Sequence, residues 1–214
     1  MNRKSNEPNA LAWALAYHEG SHALFAHLIF GDGSIKQVDF SLFGARGSVH
    51  FHKAHTFIDS DLLRLPISMA GDVGTKLYAS QYVKQAKSQY TESFQPLGTD
   101  DAMFIKEIVK FRGLKAVYLK QQKDRLKTVM LLPVTKRLVA ELASLLYAKV
   151  YNTYKVRTIM KGAAVHKQIK QTLAAIAKER QLSVGRLEEY LIALTLGFNG
   201  ALKRLKPFES KVKA

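Results

Sequence analysis

The stretch from Asn9 to Gly33, NALAWALAYHEGSHALFAHLIFGDG, predicts the first helix of the fold. Asn9 is a favoured N-cap residue and Gly31 a favoured C-cap residue, so we expect the helix to run from about residue 10 to residue 30. Spacings of three and four residues place one set of side chains on a common, core-facing side. That set consists of Leu11, Leu15, His18, His22, Phe25 and Ile29.

His18, Glu19 and His22 form the pattern His-Glu-x-x-His on this helix. Histidines four residues apart project from one side of a helix, where both imidazoles can bind one Zn²⁺. Glu19 is adjacent to the first ligand and is a candidate general base. A chance pair of histidines is the alternative. Two imidazoles in an apolar stripe are costly to bury without partners, which favours the metal.

A third protein ligand is required for a catalytic zinc site with an open fourth position. The chain has no cysteine, so the ligand must be His, Asp or Glu. Asp100 and Asp101 are candidates at the start of a predicted helix. Carboxylates at a helix N-terminus more often cap the helix without any metal role. The residues alone therefore leave the third ligand open.

The remaining pattern predicts a mainly α, α+β fold with one small β-hairpin. The hairpin is indicated by alternating side chains around Val38 and Val49, joined by a turn at Gly44–Gly47. We expect residues 53–61 to form a loop and residues 85–98 an irregular connection. Further helices are predicted at 62–83 (with Pro66 marking its start or a kink), 99–111, 114–130, 134–160, 164–180 and 184–197. A lysine-rich tail follows from residue 198 and is expected to end poorly ordered.

Residues 16–24, AYHEGSHAL, resemble the AYHEAGHAL segment of the FtsH-type zinc peptidase family. The order of elements is similar too: a hairpin follows, and residues 67–74 loosely resemble the family's Gly-Gly-Arg-Ala-Ala-Glu helix. Residues 98–101 then fall where the family has Ser-Asn-Asp. The resemblance covers about residues 10–112. It implies a zinc metallopeptidase with His18, His22 and Asp101 as ligands and Glu19 as base.

The chain departs from that family at several positions. Ser21 stands where the motif has a small glycine, and Asp72, Thr75 and Lys76 replace an arginine and acidic residues. The ligands are intact, but the groups that support them and handle the substrate differ. No GxxxxGK[ST] phosphate-binding loop is present. The chain is expected to act on unstructured segments or to depend on a partner ATPase.

The positive charge is concentrated in the second half of the chain. Residues 1–102 carry a net charge of −1, whereas residues 103–214 carry +17 and account for the whole excess. Such a field attracts nucleic acid, an anionic membrane or an acidic partner protein, although a solvated lysine-rich surface explains it equally well. It could also assemble the chain into a homo-oligomer.

Two features of the second half are weaker candidates for nucleic-acid binding. Residues 176–187 have the outline of a helix-turn-helix, but Gln181 stands where glycine is usual and Glu188 follows, so an ordinary helical hairpin is favoured. The tyrosines at 147, 151, 154 and 190 could stack on bases, yet tyrosines at helical spacing more often pack in the protein. His50 and His52 are expected on the solvent side of the hairpin.

These patterns lead to one leading hypothesis and one alternative. We expect a zinc-peptidase-like domain over residues 1–130 and a basic helical region over 131–214. The leading function is a zinc-dependent endopeptidase that cleaves a protein or peptide substrate. The alternative is a non-catalytic binding protein with a structural or vestigial metal site, which binds nucleic acid or an acidic protein. No apolar run is long enough for a membrane span, so we expect a soluble, unprocessed, cytoplasmic protein.

Overall fold

The computed structural model describes residues 9–41, 46–52, 61–89, 97–153 and 157–213. These residues form a mainly helical fold with one three-stranded sheet, which confirms the predicted α+β class. In chain order the elements are α1 (Ala10–Phe30), β1 (Ile35–Ser41), β2 (Arg46–Phe51), α2 (Asp61–Tyr78), α3 (Ser80–Gln89), α4 (Thr99–Arg112), α5 (Ala116–Met130), α6 (Pro133–Thr153), β3 (Arg157–Lys161), α7 (Gly162–Glu179), α8 (Val184–Leu196), α9 (Asn199–Leu205), a 3-10 turn (Lys206–Phe208) and α10 (Glu209–Lys213). No helix in the described ranges is both long and apolar enough to cross a membrane.

Helix α1 has the predicted bounds and lies at the centre of the fold. The Asn9 side chain accepts a hydrogen bond from the backbone N–H of Ala12, and the N–H of Gly31 donates to the carbonyl of His27. Seventeen of the 21 residues are buried, so the helix is not limited to the predicted single stripe. The reason is that α2 and α6 both pack along it. A Cβ at Gly20 would lie 3.5 Å from Leu142 and Ala143 of α6, which is ordinary van der Waals contact.

The sheet has the order β2-β1-β3, and both pairings are antiparallel. The predicted hairpin is confirmed in its strands: Val38 of β1 lies opposite Val49 of β2. Val38 and Phe40 are buried and join the core. Of the turn predicted at Gly44–Gly47, residues 44 and 45 lie outside the described residues, whereas Arg46 and Gly47 already belong to β2 and pair with Ser41 and Phe40. Because β1 is central, β2 is an edge strand of the described sheet.

The third strand shows that the helix predicted at 134–160 is too long. Helix α6 ends at Thr153, and β3 pairs with β1 so that Met160 lies opposite Val38. Burial alternates along β3, with Thr158 and Met160 inside. A strand this short has little intrinsic preference, and its pairing with a distant segment determines the conformation.

The second helical region is divided differently from the prediction. Helix α2 ends at Tyr78 and α3 begins at Ser80, so the chain is helical as far as Gln89 rather than irregular from residue 85. Pro66 is buried inside α2 and does not mark its start. A proline there removes one helical hydrogen bond, which the packing of α2 against α1 must offset. The predicted loop residues 53–60 and the connection at 90–96 lie outside the described residues.

The second half of the chain continues as packed helices. Helices α5, α7 and α8 lie within two residues of their predicted bounds. The expectation of a poorly ordered tail is wrong, because α9, the 3-10 turn and α10 continue to Lys213, with Leu205 and Val212 buried. The boundary predicted at residue 130 falls between α5 and α6. One hydrophobic core includes side chains from both sides of it.

Candidate metal centre

Helix α1 presents His18 and His22 side by side in the interior. The two residues are one turn apart, and each is less than 10% exposed. Their Nε2 atoms lie 3.1 Å from each other. Burial follows from the alanine-rich surroundings of the motif, which let α2 pack closely over the imidazoles.

Asp101 of α4 completes the cluster. Helix α4 starts after Gly98, which has a left-handed φ of 85° that favours glycine. Asp101 lies in the first turn, and its Oδ2 is 3.0 Å from His18 Nε2 and 3.1 Å from His22 Nε2. The neighbouring Asp100 is exposed. The structure therefore brings Asp101, and not Asp100, to the two histidines.

The outer nitrogens of both imidazoles fix their tautomers. His22 Nδ1 is 2.7 Å from the carbonyl oxygen of Ile67, which can only accept a hydrogen bond. His18 Nδ1 is 3.0 Å from Thr75 Oγ1, and that hydroxyl already donates to the carbonyl of Gly71. Each Nδ1 must therefore carry the hydrogen. In the neutral imidazoles the Nε2 lone pairs then face each other and the Asp101 carboxylate.

Three electron-pair donors that converge within about 3 Å repel one another unless a cation lies between them. A metal ion meets this need, because the mutual spacings of 3.0–3.1 Å are close to the roughly 3.3 Å between ligands of a tetrahedral zinc site. These residues are thus positioned to hold a metal ion. The hydrogen bonds to Nδ1 are the outer contacts that orient metal-binding histidines.

Without a metal, a proton is the competing cation. Burial disfavours the charged form of His22, but the Asp101 carboxylate and its hydrogen bond outweigh burial and raise the pKa of His22 to about 9. Burial likewise opposes ionisation of Asp101, yet the two histidines hold the pKa of that carboxyl far below its usual range. The cluster therefore strongly favours binding of a cation, either a proton or a metal ion.

Glu19 lies beside the ligands with one oxygen free. It is 1% exposed, and its Oε2 has no hydrogen-bond partner among the described residues. Its carboxylate packs against Gly47 of β2, where a side-chain Cβ would be only 2.3 Å from Oε1. Burial raises the pKa of Glu19, and the two histidines partly oppose this. A buried, unpaired carboxyl of this kind is suited to taking and releasing a proton.

Two glycines of α2 make room for the cluster. A Cβ on Gly71 would lie 2.3 Å from His22 Nε2 and 2.6 Å from His18 Cε1. A Cβ on Gly74 would lie 2.0 Å from Ser21 Oγ. Gly74 thus accommodates Ser21, the larger residue at the position where the zinc-peptidase motif has glycine. Neither glycine can be singled out from the sequence, because the side chains that need the space belong to α1.

The cluster opens into a cleft of about 360 Å³. Helix α1 supplies Glu19 and the two histidines, while β2, α2 and α4 form the remaining walls. The described lining includes two arginines, Arg46 of β2 and Arg64 of α2. A ligand in this cleft would contact the edge strand, the three candidate ligands and Glu19 together.

A second cluster contains His27, Asp32 and His166, which the sequence analysis did not bring together. The backbone N–H of Ile35 donates to His166 Nε2 at 3.1 Å, so Nδ1 of that imidazole carries the hydrogen and donates to His27 Nδ1 at 2.7 Å. This arrangement leaves His166 no lone pair for a metal, and Lys170 lies 2.8 Å from Asp32. His27 and His166 therefore form a hydrogen-bonded structural pair.

The other sequence candidates lie outside the cleft. His50 and His52 are exposed, as expected. Tyr147 stacks on Trp13 with ring centroids 4.1 Å apart, and Tyr190 is buried, so neither ring is presented to a base. Ser183 caps α8, as its place in the helical hairpin predicted. The side chains of the tyrosines at 151 and 154 lie outside what the structure describes.

Comparison with family models, curated proteins and solved structures gave no match for this chain. The resemblance to the FtsH-type peptidases stays a prediction from sequence.

Proposed function

We propose that this protein is a zinc-dependent endopeptidase. The observation that carries the proposal is the convergence of three lone pairs from His18, His22 and Asp101 beside the buried, unpaired Oε2 of Glu19. Zinc hydrolases use three protein ligands of this type and a nearby carboxylate base. The same donor set binds iron(II) in oxygenases, but a free carboxylate base beside the ligands favours hydrolysis.

The residues of the cleft have separate roles in this proposal. Zinc, when bound, supplies Lewis-acid chemistry by acidifying water and polarising a carbonyl. Glu19 accepts a proton at Oε2 as water attacks the peptide and then delivers it to the departing nitrogen. Thr75 and Ile67 hold the two imidazoles in the required tautomer. An extended peptide can pair with the edge of β2, which borders the cleft.

The metal is tested first by elemental analysis. We expect about one zinc per chain in the wild type, with strong loss in His22→Ala and Asp101→Ala. Asp100→Ala is the matched control, because its carboxylate lies outside the cluster and should leave the zinc content unchanged. A wild type that takes up no zinc after reconstitution contradicts the proposal. Iron in place of zinc would redirect it to oxidative chemistry.

Catalysis is tested by Glu19→Gln, which keeps the side-chain shape but removes the base. We expect zinc to be retained and hydrolysis of a fluorescence-quenched peptide library to fall by about 100-fold or more. Glu107→Gln, an exposed carboxylate of α4, is the control and should leave the rate unchanged. Equal rates for Glu19→Gln and the wild type would refute the mechanism.

A second candidate function is polyanion binding, favoured by a separate basic groove. Lys36, Lys161, Lys167, Lys170 and His52 line a cavity of about 800 Å³ that shares no lining residue with the metal cleft. Asp32 pairs with Lys170 and neutralises part of this charge. The groove suits a phosphate backbone or an acidic protein segment.

The groove is tested with a fluorescein-labelled single-stranded oligonucleotide at several salt concentrations. We expect the double variant Lys161→Gln/Lys167→Gln to bind more weakly and with a smaller salt dependence. The control is Lys84→Gln/Lys110→Gln, which removes two exposed lysines elsewhere. Equal weakening by both pairs would indicate binding to the overall charge and not to the groove.

A further inference from the structure

Arg64 has an unusual position for a charged side chain. It is half-buried on α2 and lines the same cleft as the metal cluster and Glu19. Its guanidinium carbon lies 4.4 Å from the ring centroid of Phe104 on α4 and 5.7 Å from that of Phe51 on β2. Rings from two walls of the cleft therefore hold this cation in place.

Arg64 has no carboxylate within ion-pair distance in the described part of the chain. The nearest acidic influence comes from Asp61, which itself lies 3.8 Å from Arg112. Arg157, by comparison, has Asp39 as a close partner. Burial lowers the pKa of Arg64, and the more distant Asp61 opposes this only in part.

The aromatic rings cover the faces of the guanidinium, so its N–H groups at the edge are the groups that can bind a ligand. Its five N–H donors match the two oxygens of a carboxylate, and stacked arginines commonly bind anions in this way. Arg46, exposed at the same cleft, adds a second positive charge. A cleft of about 360 Å³ suits a short stretch of peptide and is small for folded polyanions.

We propose that Arg64 is a specificity-determining residue that binds a carboxylate of the peptide substrate beside the metal centre. This inference rests on the proposed peptidase function, since it names the substrate class of the same cleft. The carboxylate can belong to an acidic side chain or to a free C-terminus, and the chemistry at Arg64 is the same.

The test measures binding separately from hydrolysis. Zinc-loaded Glu19→Gln protein is titrated, by fluorescence anisotropy, with labelled short peptides in which one glutamate or one glutamine is placed at each position in turn. Each peptide is prepared with a free and with an amidated C-terminus. We expect the best glutamate peptide to bind at least about tenfold more tightly than its glutamine counterpart. A preference that follows the free C-terminus identifies that group as the carboxylate.

Arg64→Gln should reduce this preference to near unity and leave binding of the uncharged, amidated peptide little changed. Arg64→Lys keeps the charge but loses the planar fork, so we expect a partial preference. Arg186→Gln is the matched control, because Arg186 also lies over a phenylalanine ring, 4.3 Å from the Phe208 centroid, but outside the cleft. It should retain the full preference.

With Glu19 intact, the same peptides report on catalysis. We expect Arg64→Gln to raise KM for carboxylate-bearing peptides while kcat stays nearly constant, as for loss of uniform binding. Carboxylate-dependent binding without hydrolysis would refute the peptidase and support the role of Arg64. Hydrolysis without any carboxylate preference would overturn the role of Arg64 and leave the peptidase standing. Failure to bind any of the peptides overturns the inference.

Discussion

Removing the hydroxyl of Thr75 should weaken metal binding, although Thr75 does not touch the metal position. Thr75→Val preserves the shape of the side chain and deletes the acceptor that holds His18 Nδ1–H at 3.0 Å. The imidazole N–H is then buried without a partner, and the tautomer with Nε2 free is no longer enforced. Thr75 is a buried residue of α2, so water does not readily replace the hydroxyl.

The magnitude follows from the cost of one buried, unsatisfied donor, about 1–3 kcal/mol. That cost corresponds to roughly a 5- to 150-fold rise in the zinc dissociation constant, a range that includes the about 10- to 100-fold typical for loss of an outer hydrogen bond to a metal-binding histidine. The constant is measured by competition with a chromophoric chelator at neutral pH.

Two controls separate this effect from loss of stability. Thr75→Ser retains the hydroxyl and should bind zinc nearly as well as the wild type. Thr128→Val deletes a hydroxyl that makes the same type of bond, to the carbonyl of Asp124, at an exposed site on α5. It should not change affinity. If Thr75→Val binds zinc as tightly as Thr75→Ser, the tautomer argument fails.

Three further predictions concern packing and acid stability. Gly71→Ala should raise the zinc dissociation constant by at least about 100-fold, because its Cβ would lie 2.3 Å from His22 Nε2. The control Gly185→Ala, whose Cβ would have nothing within 4 Å, should instead add about 0.5–1 kcal/mol to the free energy of unfolding. Gly74→Ala should lower the melting temperature, because its Cβ would occupy the space of Ser21 Oγ. The double variant Gly74→Ala/Ser21→Gly should recover part of the lost melting temperature. Equal melting temperatures for the single and double variants would contradict this explanation. Burial and the neighbouring His27 lower the pKa of His166 to about 4, so the contribution of His166 to the free energy of unfolding should be constant above about pH 6.5 and decrease by about 2–3 kcal/mol towards pH 4. Urea unfolding at several pH values should show a smaller loss of stability towards pH 4 for His166→Gln than for the wild type. Identical pH profiles for the two proteins would refute this prediction.

The sequence predicted the elements that depend on local signals. Asn9 and Gly31 mark the ends of α1, Ser183 caps α8, and alternation gives the strands of the hairpin. Each of these signals acts within a few residues, and the structure agrees with them. The His-Glu-x-x-His pair is of the same kind, because a helical spacing of four residues alone places the two imidazoles together.

The features that the sequence could not give depend on distant contacts. Strand β3 exists because it pairs with β1, and the tail is helical because Leu205 and Val212 find a buried place. The choice of Asp101 over Asp100 follows from the packing of α4 on α2, which brings Asp101 to the two histidines. Residue spacing near the motif cannot reveal that packing, and the resemblance to a known family was needed to favour Asp101.

The central place of α1 also bears on the order of folding. All three candidate ligands occur within the first 101 residues, but α1 is enclosed on its far side by α6, and β1 obtains its second partner from β3. Contacts that join such distant segments close large loops and form late. Before α6 has been synthesised and packed, residues 1–101 would leave one side of α1 exposed to water. A nascent chain therefore carries all three candidate ligands long before it has a rigid centre, so an ion bound by this cluster would be captured only after the later helices have packed.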